Sequence, residues 1–191
     1  MSPTPKPSVE TAAAAGDRSR WNARYAARPA DSAPRAWLLA NAALLPAPGL
    51  ALDLAMGLGA NAGWLLARGW RVVGVDVSDV AARRAKARWP ALRAVIADLT
   101  RFELPAAAFD LILDFYYLDR ALWPAVRRAL RPGGVFVMET FIHRPGGEPP
   151  LNPAYLLAPG ELRAAFADWE ILAEREDEQR AAIVAQRPMV K

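Results

Sequence analysis

The sequence predicts an α/β protein, with a mostly parallel, doubly wound sheet of seven strands, helices on both faces, and an antiparallel hairpin at the C-terminal end. Two observations carry this. Short apolar runs alternate with helix-patterned segments from Leu50 to Phe141, the order that builds parallel strands joined by right-handed crossovers. The last two strand-like runs, Trp169 to Arg175 and Arg180 to Arg187, are linked only by Glu176-Asp177-Glu178-Gln179. That link is far shorter than the roughly twelve residues a parallel crossover requires.

The elements follow in order. Residues 1–16, with Pro3, Pro5 and Pro7 ahead of Ala12–Ala15, read as a disordered tail. Asp17 offers an N-cap for a helix to about Arg28, and Pro34 opens a second helix through Leu45. Residues 17–49 thus form a helical cap on one domain spanning 17–191. Leu50 to Leu54 is the first strand, Gly57-Leu58-Gly59 its loop, and Asn61 to Arg68 a helix stopped by Gly69. Trp70 to Val75 is β-branched and ends at Asp76; Ser78 caps a helix to about Trp89, and Leu92 to Ile96 leads to Asp98. Phe109 to Asp114 is the fourth strand, Asp119 to Leu130 a helix, and Gly134 to Phe141 the fifth strand after the turn Arg131-Pro132-Gly133. A loop from Ile142 to Pro153 precedes a helix near Pro159 to Ala167; its prolines 145, 149, 150 and 153 make it a stiff excursion.

Composition narrows the function. At 191 residues, 53% hydrophobic and 23% charged, the chain has room for one sizeable core. The absence of cysteine excludes disulfides and thiolate metal centres, and a single histidine, His143, leaves no histidine cage, so no metal is expected. A net charge of +4 is mild, and all but three of the 24 basic residues are arginine, so the high isoelectric point is weak grounds for a nucleic-acid partner. Asp110, Asp114 and Asp119 break the most apolar stretch, well short of the roughly 18 residues of a membrane span. The expectation is a cytoplasmic protein, monomeric or homodimeric.

Chemistry belongs at the carboxyl ends of the strands, where such sheets bind ligands. Four of those ends are acidic: Asp53, Asp76, Asp98 and Asp114. A glycine loop lets a ligand approach the backbone, and a carboxylate at the next strand end can accept both hydroxyls of a ribose. Gly57, Gly59 and Asp76 therefore describe a nucleoside-type ligand. Each residue also has a plain local use, in a tight turn, a helix cap or an Asx-turn. The dinucleotide fingerprint is met only loosely, by Gly57-x-Gly59 with Ala62.

The motifs in sequence resemble class I S-adenosylmethionine-dependent methyltransferases. Leu52-Asp53-Leu54-Ala55-Met56-Gly57-Leu58-Gly59 is similar to that family's first motif, Val73 to Ser78 to its second, and Ile96-Ala97-Asp98-Leu99 to its third. Phe109 to Asp114 and Leu130-Arg131-Pro132-Gly133-Gly134 match the fourth and the turn before strand five. Trp21 to Tyr25 and Tyr117 to Arg120 resemble the small bacterial branch with tellurite-resistance and thiopurine-type enzymes. The resemblance implies a Rossmann-like fold and S-adenosylmethionine as cofactor, released as S-adenosylhomocysteine. It implies that Asp53, Gly57 and Gly59 hold the methionine end, Asp76 the ribose, Val77 the adenine face, and Asp98 with Leu99 its edge. Asp114 and Phe115 would lie near the sulfonium, and Trp21 and Tyr25 would form an aromatic lid. Two departures stand out: Ala60 where the branch often carries arginine, and Met56 where cysteine is common.

Methyl transfer from a sulfonium is an in-line displacement that positioning can catalyse, with a proton acceptor needed only for alcohols or amines. The candidate catalytic groups are Asp114, Tyr116, Tyr117, Glu139 and His143. Asp114-Phe115-Tyr116-Tyr117 lacks the paired prolines of enzymes that methylate exocyclic amines. The leading expectation is a methyltransferase acting on a small-molecule S, Se/Te, O or N nucleophile. Open alternatives are a cofactor-binding module without turnover and an RNA methyltransferase, with nicotinamide binding remote.

Overall fold

A computed structural model describes residues 12–29, 33–143 and 153–189 of the chain. The strands are β1 (Leu50–Leu54), β2 (Arg71–Asp76), β3 (Arg93–Ile96), β4 (Phe109–Phe115), β5 (Leu130–Phe141), β6 (Glu170–Glu176) and β7 (Arg180–Gln186). The helices are α1 (Ala12–Ala27), α2 (Ala36–Ala40), α3 (Ala60–Leu66), α4 (Asp79–Arg88), α5 (Trp123–Ala129) and α6 (Glu161–Ala165). One sheet runs in the order β3-β2-β1-β4-β5-β7-β6. Its first five strands pair in parallel, and β7 inserts antiparallel between β5 and β6. This is the α/β, Rossmann-like doubly wound sheet with a C-terminal antiparallel hairpin that the alternation predicted.

Alternating side chains divide the core into two layers. Leu52, Leu54, Ile112, Phe136, Met138 and Ile183 pack beneath α5 and α6, where Val126, Ala129 and Leu162 meet them. Ala51, Leu111, Leu113, Val135, Val137 and Val184 face the other way, against Leu38 of α2, Ala62 and Leu65 of α3, and Ala82 and Ala85 of α4. The central strands are apolar on both faces because both faces are covered.

Several boundaries differ from the sequence expectation, each for a local reason. α1 begins at Ala12 rather than at Asp17, since the alanine run favours helix, and Asp17 instead pairs with Arg20 at 2.9 Å. The second helix is short: α2 ends at Ala40, capped by Asn41, whose side-chain amide donates to the Trp37 carbonyl at 2.8 Å, and a single 3₁₀ turn, Ala42–Leu44, follows. Asp119 caps another 3₁₀ turn, Arg120–Leu122, before α5 starts with Pro124 in its first turn. β5 begins at Leu130, pairing with Phe109, and a register shift absorbs the Pro132-Gly133 turn. Residues 1–11 of the expected tail, and 144–152 of the loop with Pro145, Pro149 and Pro150, lie outside the described residues. Among the described residues no helix is long and apolar enough to cross a membrane.

Ser78 caps α4 as expected, its hydroxyl accepting from the Ala81 N–H at 3.0 Å. α3 and α4 meet where Gly63 faces the Trp89 ring so closely that a Cβ would fall 2.2 Å from a ring carbon. Alanine normally favours a helix interior over glycine by about 1 kcal/mol. Overpacking against a rigid ring costs about 1–3 kcal/mol and should win. Gly63→Ala is therefore expected to lower the thermal midpoint, and the same change in a Trp89→Ala background to raise it. Calorimetric melts of the four proteins check this; stabilisation in both backgrounds would contradict the packing.

Candidate functional site

β1 lies between β2 and β4. Having built β2 and β3 on one side, the chain crosses to β4 on the other, which opens a crevice beyond the carboxyl ends of β1 and β4. The loop leaving β1 turns through three left-handed residues, Ala55 (φ 49°), Gly57 (φ 55°) and Gly59 (φ 72°). Ala55 is the one among them with a side chain, so the turn stores backbone strain at the crevice. Met56 faces inward, its sulfur against Gly74, where a Cβ would lie 2.1 Å away. It joins the core rather than the crevice.

Asp76, at the end of β2, ties the loop in place. Its two carboxylate oxygens accept the Gly57 N–H and the Ser78 N–H, each at 2.8 Å. Burial raises its pKa, and these two bonds hold part of the rise back. Each oxygen keeps a further lone pair for a ligand hydroxyl.

Asp53 and Asp114 end adjacent strands and are both buried, at 1% and 2% exposure, with Asp53 Oδ2 and Asp114 Oδ1 lacking any partner. Burial pushes Asp53 from 3.8 to about 7; the Ala62 backbone N–H opposes the rise, and the Asp76 charge adds to it. Burial likewise holds Asp114 well above the usual carboxylate range, against the Tyr117 N–H, and the charges of Asp53 and Asp119 reinforce it. Two buried acids with unfilled oxygens are costly unless a cation completes them.

α1 closes one wall. Asn22 accepts from the Ser78 hydroxyl at 2.7 Å and donates to Asp79, and Arg84 of α4 donates to the carbonyls of Tyr25 and Arg28. This docking sets Tyr25 against Gly57, where a Cβ would come within 2.8 Å of its hydroxyl. Burial, then the Asp76 charge, raises the Tyr25 phenol to about 12. Trp21 stacks on Tyr25 with centroids 5.7 Å apart. The pair expected as a lid thus stands at the glycine loop.

A second cluster lies at the ends of β4, β5 and β7. Tyr116, at φ 64°, donates its hydroxyl proton to Glu139. Arg180 donates to the Tyr116 oxygen at 3.2 Å, and Arg175 holds the other oxygen of Glu139 at 2.6 Å. Burial, then the Glu139 bond, raises the Tyr116 phenol. The Arg35 guanidinium lies over the Tyr116 ring, 4.6 Å from its centroid, and Phe141 packs beside it at 4.9 Å. Asn22, Arg35, Arg175 and Arg180 escaped the sequence reading. Asn22 lies within the Trp21 to Tyr25 stretch but was given no role there, and no local motif marks the three arginines, because sheet order and helix docking bring them in.

The remaining candidates have local contacts of their own. Asp98 makes an Asx-turn, accepting the N–H and hydroxyl of Thr100 at 2.9 and 2.8 Å. Leu99 and Phe115 are buried in the two core layers, and Val77 is half-buried beside Asp76. Tyr117 is half-buried, its pKa raised by burial and by Asp119, Asp114 and Asp98. His143 borders the undescribed loop, its N–H donating to the Leu157 carbonyl at 2.7 Å. Among the described residues no acid or histidine group is placed to hold a metal.

Residues 51–134 match a family model described as a methyltransferase domain. A probable S-adenosylmethionine-dependent methyltransferase of Mycolicibacterium smegmatis is 33% identical over 104 residues, 50% of this chain and 39% of that protein. A second, of Mycobacterium tuberculosis, is 27% identical over 111 residues, 53% of this chain and 40% of that protein. The chain thus spans about two-fifths of the length of these curated relatives. Among solved structures, TehB from Haemophilus influenzae superposes with a TM-score of 0.75 at 18% identity, over 87% of this chain and 67% of that one. The 1,6-didemethyltoxoflavin-N1-methyltransferase of Burkholderia thailandensis, solved with its substrate and S-adenosylhomocysteine, superposes at 0.67 and 20% identity, over 97% and 94%. At such identities the two structures show a shared fold.

The Asp53 carboxyl gives the ligand-free protein a characteristic pH dependence. Its folded pKa of about 7 lies above the ordinary 3.8. Between those values the folded state keeps a proton that the unfolded state has released, so stability falls as pH rises through the window. Above neutrality the accumulated cost is roughly 4 kcal/mol. Asp53→Asn removes it and should raise the thermal midpoint by several degrees at pH 8 and scarcely at pH 4. Melts across that range check the sign; a gain independent of pH, or a loss at pH 8, would contradict the assignment.

Proposed function

We propose that this chain, whose residues 51–134 match a methyltransferase domain, is a class I S-adenosylmethionine-dependent methyltransferase that moves a methyl group from that cofactor to a small-molecule nucleophile. The observation that carries the reading is the pair of unfilled buried oxygens on Asp53 and Asp114, at the mouth of a glycine loop. S-adenosylmethionine supplies a methyl on positively charged sulfur, together with an ammonium and a ribose diol. These groups fit what the crevice lacks. Asp53 and Asp114 would hold the cationic end, and Asp76 would accept the ribose hydroxyls. Val77, Asp98 and Leu99 would border the adenine, Phe115 the sulfonium, and Trp21 with Tyr25 would cover the site. We take residues 17–191 as one domain, with 17–49 as the covering segment.

The acceptor side favours catalysis by positioning. Tyr116 donates its hydroxyl proton to Glu139, whose other oxygen is held by Arg175, so both groups are engaged within the chain rather than with an acceptor. We therefore place sulfur, selenium or tellurium nucleophiles, which attack as anions, ahead of oxygen and nitrogen ones, and we place the reaction in the cytoplasm. The RNA alternative loses its footing: Arg83 pairs with Asp79, Arg84 with α1 carbonyls, and Lys86 with the carbonyls of Pro90 and Leu92, while Arg88 lies over Trp89. Each basic side chain of this face of α4 thus has a contact within the chain, which favours the small-molecule reading.

Calorimetric titration with S-adenosylmethionine and S-adenosylhomocysteine tests the reading. Because Asp76 also satisfies two backbone donors, Asp76→Asn is the cleaner variant, with its melting curve recorded alongside. Both ligands are expected to bind the wild type in the micromolar range or tighter, and the variant to bind at least roughly tenfold more weakly, a difference of about 1.4 kcal/mol. Absence of binding to well-folded wild type would overturn it.

A further inference from the structure

We infer that the methyl acceptor is an organic anion, a negative group carried on an apolar body, and that Arg180 at the start of β7 receives its charge; the inference rests on the reading above. The two ends of the crevice carry opposite signs. Asp53, Asp76 and Asp114 make the end beside the glycine loop acidic. Past Asp114, the ends of β4, β5 and β7 present Tyr116, Phe141 and a surplus of guanidinium groups.

The surplus follows from strand register. Glu139 lies opposite Ala182 across β5 and β7, and Ala182 lies opposite Arg175 across β7 and β6, so the three share one face of the sheet. Because Ala182 carries only a methyl group, Arg175 extends over it to hold Oε2 of Glu139 at 2.6 Å. Oε1 takes the Tyr116 hydroxyl proton. The Glu139 carboxylate, 5% exposed, is therefore filled at both oxygens before Arg180 is counted.

Arg180 stands on that face opposite Phe141. Its guanidinium lies 3.7 Å from Oε1 of Glu139, too far for a hydrogen bond, and the side-chain bond it does make, at 3.2 Å, goes to the neutral phenol of Tyr116. Asp177 does not complete it. Oδ1 of Asp177 accepts the backbone N–H groups of Gln179 and Arg180, each at 2.9 Å, and Oδ2 faces Nε of Arg175 at 3.4 Å. Arg35 adds a further guanidinium over the Tyr116 ring, so three cations here meet two carboxylates.

Access and shape suit a ligand. The Arg180 side chain is 40% exposed and Phe141 36%, and the rings of Tyr116 and Phe141, 4.9 Å apart, make a half-open apolar shelf beside the guanidinium. A planar cation with donors to spare, next to such a shelf, fits a carboxylate or similar flat anion on an apolar body. The charged group would anchor the acceptor at Arg180 and leave another of its atoms to meet the methyl group, which is catalysis by positioning.

The test uses benzoate and benzamide, nearly equal in shape and different in charge, titrated calorimetrically into the chain saturated with S-adenosylhomocysteine, as wild type, Arg180→Gln and Phe141→Ala. The wild type should bind benzoate roughly tenfold or more tighter than benzamide, the range of a charge-assisted bond. Arg180→Gln should lose that preference while keeping its affinity for S-adenosylhomocysteine within about twofold of wild type, which also shows that the variant is folded. Phe141→Ala should weaken both probes together. A wild type without preference for benzoate, or a preference that survives in Arg180→Gln, would overturn the inference. So would benzoate binding that Phe141→Ala leaves unchanged, since the apolar shelf would then play no part. If the wild type shows an Arg180-dependent preference for benzoate yet binds no S-adenosylhomocysteine, the methyltransferase reading fails, and the assignment of the anion as a methyl acceptor falls with it.

Discussion

The carboxylate of Asp76 is the joint on which the crevice depends. One oxygen takes the Gly57 N–H and the other the Ser78 N–H, so a single side chain fixes the loop leaving β1 and the entry to α4. Ser78 in turn caps α4 and, with Asp79, docks Asn22 of α1. Tyr25 reaches Gly57 because of that docking. Glycine loop, helix cap and aromatic wall thus share one anchor, built from hydrogen bonds to an ionised group, which are worth more than neutral ones.

Against this well-satisfied acid stand two that are not. Asp53 and Asp114 are as buried as the apolar residues flanking them, yet each leaves an oxygen unpartnered. Nothing in folding requires this; apolar residues at both positions would make a more stable sheet. The protein tolerates a local cost at the point where the two halves of the sheet diverge, and on the proposed reading a cationic ligand would recover it. Stability and binding are therefore opposed at the same atoms, as expected where a fold is shaped for a ligand rather than for itself.

Much of this was legible in the sequence because the informative residues are local in the chain. Strand, glycine loop, helix and acidic strand end follow within Leu50 to Asp76, and their spacing places Asp53, Gly57, Gly59 and Asp76 in one crevice. Trp21 and Tyr25, which the resemblance pairs as a lid, lie four residues apart in α1 and stack on each other. The Tyr116, Glu139, Arg175 and Arg180 cluster was legible only in part. Its members are far apart in sequence and meet because β7 inserts between β5 and β6, which no local pattern announces. Arg35 was missed for a related reason: its neighbours Asn61 and Tyr116 belong to α3 and to the end of β4. Asp98 shows the converse, since its Asx-turn with Thr100 is the plain local use such a residue allows.

The most direct measurement of the central claim is a crystal structure of the wild-type chain with S-adenosylhomocysteine. The account predicts density in the crevice between β1 and β4, with the ribose hydroxyls on Asp76 and the ammonium within hydrogen-bond distance of Asp53 or Asp114. Density elsewhere on the molecule, or a ligand in the crevice that leaves all three carboxylates uncontacted, would contradict it.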